Sequence, residues 1–140
     1  VGAGYIAGIH AEALRSIPTT RITAVVDPSA SAAAALTAQC PGAQVFDSVA
    51  AALAADAFDR AHVLVPPDLH APIAAELLAA GKPVLVEKPL AASSTECAAL
   101  LAQAAASAIP LGVNQNFVHH PAFARLRRLI EARALGRPRH

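Results

Sequence analysis

Methionine and tryptophan are absent from this 140-residue chain, which has one tyrosine, four phenylalanines and two cysteines. The missing initiator methionine is read as the mark of a chain cut from a longer one. Cys40 and Cys97 lie far apart, with no C-x-x-C and no histidine at ligand spacing. That excludes a disulfide scaffold and points to a reduced, cytoplasmic pair with no metal site. Apolar residues make up 55% of the chain, but the excess is alanine. Nothing approaches the roughly 18 to 20 uninterrupted large apolar residues of a membrane span. Charge of one sign is lacking too, the formal net charge being +1. Its one concentration, Arg125, Arg127, Arg128, Arg133, Arg137 and Arg139, follows helical spacing and then runs into a tail. No aromatic or binding motif accompanies it, so a solvated helix face is expected rather than a nucleic-acid patch. Neither nucleic acid nor a membrane is expected as a partner. The length allows one domain with a real core and is short for an enzyme with a separate substrate domain.

What is present begins at the first residue. Val1-Gly2-Ala3-Gly4-Tyr5-Ile6-Ala7 reads as the glycine turn of a dinucleotide-binding unit. Gly2 allows the tight turn, Gly4 lets the backbone approach a pyrophosphate, and Ala7 permits close helix packing. Ile22 to Val26 is a short run that ends at Asp27. That is about 20 residues past the motif, where such units hold an adenosine ribose. A complete first strand ought to precede the turn and only Val1 of it stands here, so the chain is read as truncated inside that strand.

Short apolar runs alternating with longer alanine-rich stretches predict a parallel sheet covered on both faces. Counting the truncated strand as first, a helix is expected from about Tyr5 to Ile17, with Ile6, Ile9, Ala13 and Ile17 on one face and Pro18 ending it. Ile22 to Val26 is the second strand. Ser29 or Ser31 caps a helix reaching about Gln39, and Gln44 to Phe46 is the third strand. Ser48 caps a helix to about Ala55. Ala61 to Val65 is a buried fourth strand stopped by Pro66-Pro67, followed by a helix from about His70 to Ala80 that Gly81 ends. Val84 to Val86 is the fifth strand. Ser93 and Glu96 form a capping box for a helix to about Ser107, Pro110 leads into a sixth strand through Asn114, and Pro121 opens a helix to about Ala134. The succession predicts an α/β fold, a doubly wound parallel sheet of order 3-2-1-4-5-6. Its first strand lies in the middle, so truncation there separates strands three and two from four, five and six.

Ligands of such sheets bind beyond the carboxyl ends of the strands, near the point where the order reverses. Those ends are Gly2 to Ile6, Asp27, Pro66 to His70, Glu87 to Pro89 and Asn114 to Phe117. Five motifs lie on or beside them: G-A-G-Y-I-A-G-I-H at 2 to 10, V-V-D at 25 to 27, V-P-P-D-L-H at 65 to 70, G-K-P-V-L-V-E-K-P-L at 81 to 90 and G-V-N-Q-N-F at 112 to 117. Together they resemble the N-terminal domain of the Gfo/Idh/MocA family, the group of glucose-fructose oxidoreductase and inositol dehydrogenase. The E-K-P tripeptide is the most specific of them.

The resemblance implies a catalytic role for Lys88, placed near the nicotinamide and the substrate hydroxyl, where an ammonium stabilises an alkoxide or relays a proton. The plain alternative is a surface lysine before a proline turn. It also implies a cofactor-facing set of Gly2, Gly4, Tyr5, Ile6, Asp27, Pro66, Pro67, His70, Glu87 and Lys88. Glu87 either meets the ribose side of the cofactor or orients Lys88, and His70 either touches the cofactor or is a packed structural residue. His10 is expected to be structural. A cis bond before Pro89 belongs to the same resemblance. Asp27 suits the two ribose hydroxyls of NAD and repels the 2′-phosphate of NADP, with no Arg or Lys between Pro28 and Gln39 to offset it, so NAD is favoured; the alternative is a helix-capping Asp before Pro28, which leaves the preference undecided. The chain departs from the family at Pro66, where many members carry Thr, and at Asn116, where many carry Arg. His119 and His120 are ascribed to a turn rather than to catalysis.

The dinucleotide-binding Rossmann domain is placed at 1–118, with a linking helix at 119–140. In the family an α+β substrate domain follows, and Gly136-Arg137-Pro138 resembles its entry. The implied function is NAD-dependent hydride transfer to or from a secondary hydroxyl of a sugar, polyol or related small molecule. The implied protein is a homo-oligomer. An NAD-dependent glycoside hydrolase of the same family and a non-catalytic NAD-binding protein are the alternatives.

Overall fold

The structure is a computed structural model, which describes residues 1–134 and 136. Five strands, β1 (Ala24–Val26), β2 (Gln44–Phe46), β3 (Ala61–Val63), β4 (Val84–Glu87) and β5 (Leu111–Asn114), alternate with helices. These are α1 (Tyr5–Arg15), α2 (Ala30–Thr37), α3 (Val49–Ala54), α4 (His70–Ala79), α5 (Ser94–Ser107) and α6 (Pro121–Glu131). Serine starts three of the helices, because its hydroxyl accepts an amide left unpaired in the first turn. Ser29 caps α2, Ser48 caps α3, and Ser93 caps α5 in a full capping box with Glu96. Gly81 closes α4 at φ +73°, as a left-handed terminator should.

All strand pairs are parallel, and they fall into two sheets. β1 pairs with β2, placing Val25 beside Val45, while β3, β4 and β5 run side by side with Val63 beside Val86 and Val86 beside Val113. The division lies where the order 3-2-1-4-5-6 puts its first strand. Residues 1 and 2 stand between the sheets and bond to both: the Gly2 amide donates to the Val26 carbonyl at 2.8 Å, the Val1 nitrogen to the His62 carbonyl at 2.7 Å, and the Leu64 amide to the Val1 carbonyl at 2.8 Å. Between β1 and β3 runs a cavity of about 870 Å³, whose walls include Thr23, Ala24, Arg60 and His62.

The core lies under the larger sheet. Leu77, Leu78 and Ala74 of α4 pack on Val63 of β3 and Val86 of β4, all at most 1% exposed. Burial of a leucine or valine side chain contributes roughly 1.5–3 kcal/mol, so this cluster anchors the platform that carries β3 and β4. Gln103 Nε2 donates to the Ala75 carbonyl at 2.9 Å and ties α5 to α4.

Several expectations need correction. The inward face of α1 is not Ile6, Ile9, Ala13 and Ile17: Ile9 and Ile17 are 45% and 44% exposed, and Ala7 and Ala11 are the buried pair. Small side chains win because the helix must lie close to the sheet directly after the glycine turn, and the face that includes Ala7 excludes its neighbours. β1 and β3 are shorter than their apolar runs. After Val63 the chain leaves β4, and the Val65 carbonyl turns to the His70 ring. Two 3-10 turns, Pro67–Leu69 and Asn116–His119, were not anticipated. α6 ends at Glu131 rather than Ala134, with Phe123, Leu126, Leu129 and Ile130 exposed along it. Arg125, Arg127 and Arg128 do lie on this helix, whereas Arg137, Pro138 and Arg139 lie outside the described residues.

Candidate functional site

The two glycines of the opening turn serve different needs. At Gly2, φ is +88° and an added Cβ would stand 2.8 Å from the Leu64 carbonyl oxygen, so the fold itself demands glycine. At Gly4, φ is −78° and an added Cβ would meet nothing within 4 Å. Backbone geometry therefore gives no reason for a glycine there. Open room above it does, and that room lies at the head of α1. This helix starts at Gly4 with no side-chain cap and no acid in its first turn, so the Tyr5 and Ile6 amides lack a side-chain acceptor. Unpaired amides at the positive end of a helix suit a phosphate group. The Tyr5 side chain is 87% exposed and Ile6 is half-buried.

Asp27 leaves the carboxyl end of β1 and bridges two turns. Its Oδ2 accepts the Ala3 amide at 2.8 Å and its Oδ1 accepts the Ser29 amide at 2.8 Å. A carboxylate has about four acceptor positions, so both oxygens retain capacity for a ligand hydroxyl. The acid thus has a structural duty at the start of α2, as the capping alternative expects, and one that its place in the sequence did not reveal: it moors the glycine turn there.

At the end of β3, Pro66 and Pro67 are exposed and begin the 3-10 turn that leads into α4. His70 behind them is 1% exposed. Its Nδ1 lies 2.6 Å from the Pro89 carbonyl and its Nε2 lies 2.8 Å from the Val65 carbonyl. The ring joins the loop after β3 to the loop after β4, and both nitrogens are engaged by main chain.

β4 delivers Glu87, Lys88 and Pro89, with the Lys88–Pro89 bond cis. Lys88 is exposed, whereas Glu87 is 8% exposed and turns inward. Its Oε1 lies 3.1 Å from His10 Nε2 of α1 and accepts Asn114 Nδ2 of β5 at 2.5 Å, while its Oε2 accepts the Lys88 amide at 3.0 Å. Burial pushes the Glu87 carboxyl up, but the Asn114 amide, the His10 ring and the Lys88 N–H together hold it below the usual range. Behind His10, its Nδ1 meets His62 Nδ1 of β3 at 3.0 Å. The sequence reading had no role for His62 and set His10 aside as structural. The available signal was a polar ring in the buried run Ala61 to Val63, since a buried polar group requires a partner.

One bonded path therefore runs through the strand ends, from Asp27 to Ala3, along α1 to His10, across Glu87 to Lys88, and from Pro89 through His70 to Val65. Asn116 and His119 lie off it in an exposed 3-10 turn, and His120 Nδ1 accepts the Ala122 amide at 3.2 Å as a cap of α6.

Residues 1–115 match the family described as "Oxidoreductase family, NAD-binding Rossmann fold". The chain belongs to the Gfo/Idh/MocA family. It is 34% identical over 140 residues to an inositol 2-dehydrogenase of Corynebacterium glutamicum, which covers 97% of this chain and 41% of that one. Among solved structures, GenD2 from gentamicin A biosynthesis, in complex with NAD, superimposes with a TM-score of 0.89 at 37% identity, covering 95% of this chain and 38% of that one. KijD10, a 3-ketoreductase from Actinomadura kijaniata in complex with NADP and TDP-benzene, superimposes with a TM-score of 0.86 at 30% identity, covering 94% and 40%. The chain spans about two fifths of the length of these relatives. The fold is the doubly wound α/β Rossmann fold of an NAD-binding oxidoreductase family, and the room at Gly4, the open amides of α1 and the spare acceptors of Asp27 fit a dinucleotide. No helix among the described residues is long and apolar enough to cross a membrane.

Proposed function

We propose that this chain is the cofactor-binding part of an NAD-dependent oxidoreductase that acts on a secondary hydroxyl of a sugar, polyol or related small molecule. The observation that carries the reading is Lys88: an exposed ammonium at the carboxyl end of β4, its main chain held by a buried carboxylate that also meets His10 of α1, the helix whose N-terminus is open to phosphate. NAD, when bound, supplies the hydride acceptor or donor. The chain's own residues then divide the work. The Tyr5 and Ile6 amides receive the pyrophosphate, Gly4 leaves it room, and Asp27 receives the adenosine ribose. Lys88 takes or returns the proton of the substrate hydroxyl, Pro66 and Pro67 border the same crevice, and His70, buried behind them, holds their loop against that of Pro89. The charge of Asp27 favours NAD over NADP.

The cofactor unit occupies 1–118, with 119–140 leading toward substrate-recognising residues. A cytoplasmic homo-oligomer completes the proposal. The test is NAD reduction by the intact protein, followed by nicotinamide absorbance, with myo-inositol and other polyols and sugars as probes. NAD-dependent oxidation of any of them supports the reading. Glycoside cleavage without net NADH would replace it with the hydrolase, and NAD binding with no turnover of any probe would replace it with a non-catalytic binder.

A further inference from the structure

His10 and His62 meet edge to face, their ring centroids 5.2 Å apart and their planes at 89°. A neutral imidazole carries one N–H, and two lone pairs 3.0 Å apart would repel, so one of the facing Nδ1 atoms holds the proton. The other side of His10 decides which. Its Nε2 lies 3.1 Å from the Glu87 carboxylate, where a lone pair would face negative charge, and 3.3 Å from Asn114 Nδ2, whose shorter contact, 2.5 Å, is to that same carboxylate. The proton of His10 therefore sits on Nε2, its Nδ1 accepts, and His62 Nδ1 donates.

We propose that His62 and His10 act in series as positioning residues, His62 fixing the Nε2–H form of His10 and His10, with Asn114, fixing the Glu87 carboxylate on which the Lys88 main chain rests. This rests on the reading of Lys88 as the proton-handling residue, and its structural half stands apart from that reading. His62 is suited to the part, because burial first and the neighbouring His10 next bring its pKa down to about 4 and keep it a neutral donor near pH 7. Without the His62 donor, His10 is free to move its proton to Nδ1. A lone pair then faces Glu87, and the carboxylate that holds the Lys88 amide loses one of its two side-chain donors.

The experiment uses the intact protein, with long-range ¹⁵N–¹H spectra of the imidazoles near neutral pH, the Lys88 amide shift, NADH affinity by fluorescence, and NAD-dependent oxidation of myo-inositol as the rate probe. The wild type should show His62 as Nδ1–H and His10 as Nε2–H. His62→Val should mix the His10 forms, shift the Lys88 amide and lower kcat about tenfold, the lower end for partners that orient a reacting group, with NADH affinity little changed. His62→Asn, whose amide offers a donor near the same place, should restore the His10 form and the rate. A wild-type His62 in the Nε2–H form, a doubly protonated His10, an unaltered His10 form in His62→Val, or an unaltered kcat alongside mixed forms would each overturn the proposal. If no probe alcohol is oxidised while both tautomers and the Lys88 amide respond as stated, the hydride-transfer reading falls and the positioning series stands.

Discussion

The Asp27 carboxylate accepts the Ala3 amide at 2.8 Å, so the residue that would choose the cofactor also holds the glycine turn in place. Loss of the side chain should have two effects, and an amide at the same position separates them. A 2′-phosphate about 4 Å from a solvated carboxylate is opposed by about 1 kcal/mol or somewhat more, which corresponds to roughly five- to tenfold in affinity. Asp27→Asn removes the charge and keeps one acceptor oxygen for two amides, so it should narrow the preference for NAD over NADP by that factor and lower stability by about 0.5–1 kcal/mol, less than full removal of the side chain does. Asp27→Ala should narrow it similarly and also lower stability by about 1–2 kcal/mol, since two amides lose their acceptor. Fluorescence titration of both cofactors, beside thermal melts, measures each. Tighter NADP than NAD binding by the wild type would defeat the charge argument.

Gly2 and Gly4 should fail in opposite ways. Gly2→Ala forces a methyl group against the Leu64 carbonyl at a positive φ, and should cost on the order of 2 kcal/mol or more. Gly4→Ala has free space and an ordinary φ. The gain from a less flexible unfolded chain nearly offsets the poorer cap, so stability should stay within about 0.5 kcal/mol. Its cost should fall on the cofactor, with NADH affinity down about tenfold or more as the methyl enters the space of the pyrophosphate. Denaturant melts and NADH titration of the two variants read this directly. Unchanged NADH affinity in Gly4→Ala would place the phosphates elsewhere.

The strand order, the serine caps, the capping box at Ser93 and the positions of Gly2, Asp27 and Lys88 were legible because each follows from local chemistry or a short motif. The packing face of α1 was not. Periodicity selects bulky residues, whereas contact with the sheet selected Ala7 and Ala11 for their small size. The inward turn of Glu87 was equally hidden, because its partners His10, His62 and Asn114 come from three other elements that only the assembled sheet brings together. His70 reads as a candidate ligand in sequence, and its bonds to Val65 and Pro89 become visible only when the two loops are adjacent.

Lys88 should separate chemistry from binding. In the intact protein Lys88→Ala should lower kcat about 100-fold or more, the usual scale for a positioned acid or base, with a much smaller change in NADH affinity. Lys88→Arg should recover little, because a guanidinium does not give up its proton near neutral pH. Turnover of Lys88→Ala within about threefold of the wild type, less than 1 kcal/mol of barrier, would remove the lysine from the reaction.

The histidine pair also leaves a mark on stability. His62 has a pKa lowered from 6.5 to about 4 in the folded chain, so between those values the unfolded chain binds more protons than the folded one. Stability must then rise with pH through that window: the contribution of a neutral His62 is complete above about 6.5 and is lost as pH falls toward 4. A fully buried group shifted this far would contribute roughly 3 kcal/mol, and partial access of solvent reduces that to about 1–2 kcal/mol. Glu87, also held below its usual range, adds a second loss at lower pH, when its carboxyl is protonated and the bonds from Asn114, His10 and Lys88 weaken. The titratable group that faces His62 is His10 on α1, with Glu87 on β4 beyond it. Denaturant melts of the intact protein at several pH values from about 4 to 7 should therefore show a slope that His62→Asn flattens above pH 4.5, leaving the lower limb to Glu87. Equal slopes in the wild type and His62→Asn across that range would mean that His62 is not held neutral by the fold.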